Sequence, residues 1–194
     1  MYRLFYHPTD PRSAAADFIP FYENGVYHLF YLYDHRNNQK NGEGISWHKV
    51  TTKDFVHFED HGIAVPKGNL NSLDPYVFTG SVYKRADNDY YLFYTGHSFH
   101  SHEDNQQSEC ILYAKSKDLK QWNKVVDHPI YAPQGYSRRD FRDPFVFFNE
   151  KDNNYWMLLC ARSNSGPRIR CGETIVFIST DLENWQFSHS LIAT

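Results

Sequence analysis

The chain has 194 residues, a formal net charge of −3 and 41% hydrophobic residues, a balance that fits a packed globular domain and excludes a disordered segment. Its 20 Lys and Arg are scattered, which argues against a nucleic-acid footprint, and it holds no apolar run long enough to span a membrane. Aromatic residues make up 18% of it, and such side chains favour half-buried strands and also stack on sugar faces.

The first residues, Met1 to Pro8, lack the apolar core of a secretory signal, so a cytoplasmic location is the expectation. A strand then starts at Asp17-Phe18-Ile19-Pro20-Phe21-Tyr22. After the turn Glu23-Asn24-Gly25 comes the aromatic run Val26 to Tyr33, which predicts a β-hairpin. The next segment, His48 to Phe58, reads as a strand, a Thr-rich turn around Asp54, and an aromatic residue four positions after that Asp. The same sequence of events then recurs. Gly80-Ser81-Val82-Tyr83 opens a second unit, Asp89 to Thr95 is its aromatic run, and Asp118 with Trp122 marks its turn. Asp143-Pro144-Phe145-Val146-Phe147-Phe148 opens a third, followed by Asn154 to Cys160 and by Asp181 with Trp185.

The repeat is regular. The turn Asp residues are spaced by 64 and 63 positions, as are the aromatic residues that follow them, and the unit starts (Asp17, Gly80, Asp143) are 63 apart. No segment carries a convincing helical stripe. Four antiparallel strands repeated in this way describe a propeller blade. The prediction is an all-β chain forming one incomplete propeller domain, with blades at about 12–75, 76–138 and 139–194. Because a closed propeller typically has four to eight blades, either further blades or self-association is expected to complete it.

Equivalent positions of a propeller surround its axis, so Asp17 and Asp143 are expected to face one funnel, two blades apart. Two converging carboxylates suit glycoside hydrolysis, in which one group attacks or activates water and another protonates the leaving oxygen. Arg142 is the neighbour expected to pair with Asp143. The three cysteines (Cys110, Cys160, Cys171) form no CxxC pair, so neither a disulfide framework nor a zinc site is expected. His97, His100 and His102 read as part of a polar solvated loop rather than a metal centre. No Gly-rich phosphate loop and no Gly-x-Ser-x-Gly elbow is present, and no cofactor is implied.

Several segments carry a resemblance: Phe141-Arg142-Asp143-Pro144, Val77-Phe78-Thr79-Gly80-Ser81, Tyr27-His28-Leu29-Phe30-Tyr31, and Trp47-His48 with Lys53 to Phe58. Taken together, and in their order along the chain, they resemble glycoside hydrolase family 32, the invertase, levanase and β-fructosidase group. The resemblance implies a five-bladed propeller and retaining cleavage of fructosides of the sucrose, levan or inulin type. It makes Asp17 the nucleophile and Asp143 a transition-state stabiliser held ionised by Arg142. Trp47, Phe78 and Thr79 would line the sugar subsite.

The chain departs from the family around Asp17, where Ala14-Ala15-Ala16 and Phe18 replace the usual polar neighbours, and at Leu32, where the family has Gln. An inverting arabinan- or xylan-type hydrolase and a non-catalytic carbohydrate-binding module are therefore the alternatives. The family's acid, a Glu opening the fourth blade, is expected near position 206 by the repeat, roughly one unit after Asp143. Glu173 is off phase and reads as an exposed turn residue. The 194-residue chain alone is accordingly expected to be inactive.

Overall fold

A computed structural model describes residues 6–8, 10–86, 88–99, 108–167 and 169–193. Among the described residues, twelve strands form three separate four-stranded antiparallel sheets, each ordered as its strands occur in the chain. The first contains β1 (Ala14–Glu23), β2 (Val26–Asp34), β3 (Ser46–Thr52) and β4 (Phe58–Val65). The second contains β5 (Tyr76–Lys84), β6 (Tyr90–His97), β7 (Glu109–Ser116) and β8 (Asn123–Ile130). The third contains β9 (Tyr136–Asn149), β10 (Asn154–Ser163), β11 (Gly172–Ser179) and β12 (Gln186–Ala193). These are three blades of a β-propeller. One short helix, α1 (Asn38–Asn41), interrupts the connection from β2 to β3. The third sheet takes in residues placed in the second unit by sequence, because β9 already pairs at Tyr136, opposite Ser163.

The repeated turn has one chemistry in all three blades. A hydroxyl (Thr52, Ser116 or Ser179) accepts the backbone N–H of Asp54, Asp118 or Asp181 and of the residue after it. The Asp Oδ1 then accepts the next two backbone N–H groups. Such side chains satisfy the backbone locally and let it reverse. The reversal takes Phe55, Leu119 and Leu182 through φ of 58°, 58° and 71°. Leu119 and Leu182 are buried in compensation, whereas Phe55 is exposed.

The seams between blades repeat as well. Trp122 of the second blade meets Phe30 of the first edge-on at 5.8 Å, and Trp185 of the third meets Phe93 of the second at 5.6 Å. Lysines cross the same seams: Lys49 Nζ donates to the Leu119 carbonyl at 2.6 Å, and Lys115 Nζ pairs with Glu183 at 2.5 Å. The strands β2, β6 and β7 are apolar on both faces because each lies between two packed layers, so their sequences are continuous rather than alternating. The first strands of the blades pack together, β1 on β5 and β5 on β9, which places them around a common axis.

Candidate active site

The inner strands are irregular where the expected carboxylates fall. The β1–β2 register slips between Ala16 and Ile19, leaving Asp17 and Phe18 opposite Tyr31. The β9–β10 register slips so that Arg142 faces Cys160 and Phe145 faces Leu158, leaving Asp143 and Pro144 between them. Both Asp residues adopt left-handed backbone, at φ 47° and 62°. Asp tolerates this region better than most residues, but non-Gly residues held there typically store about 1–3 kcal/mol, and bulges of this kind re-aim side chains. In the second blade the register slips between Phe78 and Gly80. A Cβ on Gly80 would lie 1.8 Å from the Phe93 carbonyl oxygen, so this blade has no room for a third side chain at the shared phase.

Asp17 is exposed, and its Oδ2 accepts a 2.6 Å hydrogen bond from Thr79 Oγ1. Asp143 is half-buried, and its backbone N–H donates to Thr95 Oγ1 at 3.0 Å. Thr95 in turn donates to the Thr79 carbonyl at 3.1 Å. Burial pushes the Asp143 carboxyl above the usual carboxylate range; the field of Arg142 pulls it down, and those of Glu109 and Asp17 push it up.

Arg142 does not pair with Asp143 as the adjacency suggested. Its Nε donates to Glu109 Oε2 at 3.0 Å, and its Nη2 lies 2.9 Å from Glu109 Oε1 and 3.1 Å from Asp140 Oδ1. Consecutive strand residues point to opposite faces, so neighbours in sequence are not neighbours in space. The resulting field is too weak to hold Asp143 low against burial. Arg142 still borders a cleft of ≈ 250 Å³ shared with Asp140, Cys160, Ala161, Arg162 and Gly172. A larger cleft, ≈ 410 Å³, lies at the first Asp-turn, by Val26, Asp54 and Phe58, and includes neither carboxylate.

Trp47 is a second correction. It is 0% exposed and packs with Phe30 and Tyr94, so its ring offers no face to a sugar. Its indole N–H donates to the Phe78 carbonyl at 3.1 Å and thereby steadies the residue before Thr79. Phe78 itself is half-buried, with His97 stacked on it at 4.8 Å. His97 ends β6 instead of lying in a solvated loop, and its Nδ1 is 3.1 Å from Glu109 Oε1; His100 and His102 lie outside the described residues. Glu173 is within β11, half-buried, and accepts from Tyr136 Oη at 2.7 Å, so it is not an exposed turn residue.

Sequence reasoning missed Thr95 and Glu109. Glu109 is 1% exposed, yet it receives the Phe141 N–H at 2.8 Å besides Arg142 and His97. A lone Glu beside the apolar run Cys110 to Ala114 was the available signal, because buried charges are paired.

The chain is similar to known proteins over nearly its whole length. It is 29% identical over 197 residues to the levanbiose-producing levanase of Bacillus subtilis (strain 168), covering 96% of this chain and 34% of that protein. With sucrose:sucrose 1-fructosyltransferase of Festuca arundinacea it shares 30% identity, covering 86% of this chain and 25% of the relative. The structure superposes on fructan 1-exohydrolase IIa from Cichorium intybus with a TM-score of 0.78 at 24% identity, covering 100% of this chain and 35% of that one. On sucrose-6-phosphate hydrolase from Lactobacillus gasseri the TM-score is 0.72 at 26% identity, covering 91% and 34%. The chain thus spans between a quarter and two fifths of the length of these relatives and of a second levanase, from Geobacillus stearothermophilus. Residues 19–194 match the model of the "Glycosyl hydrolases family 32 N-terminal domain", a five-bladed propeller of which these three sheets form part. The chain belongs to glycosyl hydrolase family 32.

Proposed function

We propose that this protein is a retaining β-fructosidase, acting on fructosides of the sucrose, levan or inulin type. One observation carries the reading: two inner-strand Asp residues, each on a bulge with left-handed backbone, are linked through Thr79 and Thr95. Relatives named as levanases and as a fructan exohydrolase support the substrate class.

In this mechanism the Asp17 carboxylate attacks the anomeric carbon of the fructosyl unit. The bond to the leaving oxygen breaks, and that oxygen takes a proton from a general acid. Water then adds to the same carbon, its proton returns to the acid, and the Asp17 ester bond breaks. Thr79, which donates to Asp17 Oδ2, orients the attacking carboxylate. Asp143 accepts hydrogen bonds from sugar hydroxyls, contacts that strengthen as positive charge builds on the ring. Phe78 offers an apolar edge beside them.

Among the described residues, the other carboxylates acting on Asp143 are Asp17 and Glu109, and Glu109 is enclosed and committed to Arg142. Asp17 is used as the nucleophile and Glu109 is held by Arg142, so neither of these two is assigned as the acid. The test is fructose release from sucrose, levan and inulin by the full-length polypeptide encoded by the gene. Asp17→Asn is expected to lower kcat by about 10⁴-fold or more, as loss of a covalent nucleophile does. Unchanged release by Asp17→Asn contradicts the proposal.

A further inference from the structure

Thr95 sits within a strand that is otherwise apolar, aromatic or Gly, and it is 0% exposed. A hydroxyl has one proton to donate and lone pairs to accept with. Thr95 uses both, donating to the Thr79 carbonyl and accepting the Asp143 N–H. It therefore touches β5 and β9 at once, at the two irregular points of the inner strands. Thr79 continues the connection to Asp17 through its own hydroxyl. The path between the carboxylates is short: Asp17, Thr79, Thr95, Asp143.

The Asp143 N–H falls in the β9–β10 register slip, and an N–H left without an acceptor in the interior would pull the bulge towards another geometry. Glu109 anchors the two residues before it, taking the Phe141 N–H and the Arg142 guanidinium. No comparable side-chain acceptor holds the Asp143 N–H among the described residues, so the bulge depends on Thr95 at that point.

We propose that Thr95 is a positioning residue that sets the placement of Asp143 relative to Asp17 by pinning the β9 bulge to β5. It touches no substrate and acts through the two carboxylates. The kinetic part of its test rests on the fructosidase reading; the exchange part does not.

The experiment compares Thr95→Val, which keeps the shape and removes both hydrogen bonds, with Thr95→Ser, which keeps the hydroxyl. Steady-state kinetics on a fructoside and residue-resolved amide exchange are measured on the full-length polypeptide, well below its melting temperature. For Thr95→Val, kcat is expected to fall by roughly 10- to 100-fold with KM within about threefold, because small misplacements of reacting groups cost that much. Exchange of the Asp143 amide is expected to accelerate by about tenfold or more, since its acceptor is gone. Thr95→Ser should return both to within about threefold of the parent.

Thr95→Val with parental kcat and parental Asp143 exchange overturns the proposal. So does a loss of stability alone, with kcat per folded molecule unchanged. A parent that hydrolyses no fructoside defeats the fructosidase reading, and the exchange comparison then decides Thr95 alone. If Thr95→Val does not accumulate, Thr95→Cys replaces it; the larger sulfur and weaker S–H predict an intermediate exchange rate, and a parental rate overturns the proposal.

Discussion

Replacing Trp47 by Phe separates its two readings, a core residue and a sugar platform. The side chain is 0% exposed and its N–H donates to the Phe78 carbonyl at 3.1 Å. Loss of that bond removes about 1 kcal/mol, and more if the carbonyl is left without a partner. The smaller ring leaves roughly 40 Å³ unfilled, which at about 24 cal/mol per Å³ adds about 1 kcal/mol. The expected loss is about 2 kcal/mol in urea unfolding followed by far-UV circular dichroism, with KM for a fructoside within about threefold, since the ring offers no surface to the sugar. A stability change below about 0.5 kcal/mol together with a KM raised about tenfold or more would refute the reasoning and put the ring against the substrate.

Three other outcomes follow from the same geometry. The folded state raises the Asp143 pKa above the ordinary 3.8, so it binds that proton more tightly than the unfolded chain does. This contribution favours folding in acid and is lost as pH rises through 3.8 and then through the higher folded value. Asp143→Asn should therefore melt higher than the parent at neutral pH while losing activity, with the gap closing in acid; equal melting temperatures at neutral pH would contradict the burial argument. Gly80→Ala should lose about 3 kcal/mol or more, because the new Cβ meets backbone and not a movable side chain, and a chemical melt within about 0.5 kcal/mol of the parent would contradict that contact. Ser179→Ala removes the acceptor of two backbone N–H groups at the third Asp-turn and should lower stability by about 1 kcal/mol, read by urea unfolding.

The blades were legible because their turns repeat a chemistry that depends on a few residue types. A hydroxyl, an Asp two positions on, and an aromatic four positions after that recur at one spacing, and each has a bonding role that tolerates little else. Asp17 and Asp143 were legible through that same period. Their left-handed backbone was not, since it arises from register slips that depend on how β1 and β9 pair with their neighbours. Arg142 was misread because adjacency along a strand implies nothing about contact, and its partner, Glu109, is 33 residues away. Trp47 matched the motif, but a pattern of residue types does not say which face of a blade is covered. Thr95 was hidden for a simpler reason: in an aromatic strand a Thr reads as another β-branched strand former.

The central claim is that Asp17 forms a covalent fructosyl ester, with Asp143 beside it. The most direct measurement is mass spectrometry of the full-length polypeptide, quenched in acid during turnover of a fructoside with a good leaving group, then digested. The account predicts that the peptide containing Asp17 carries one fructosyl unit and that Asp17→Asn carries none. Turnover with no adduct at Asp17, or an adduct on a different carboxylate, would contradict it.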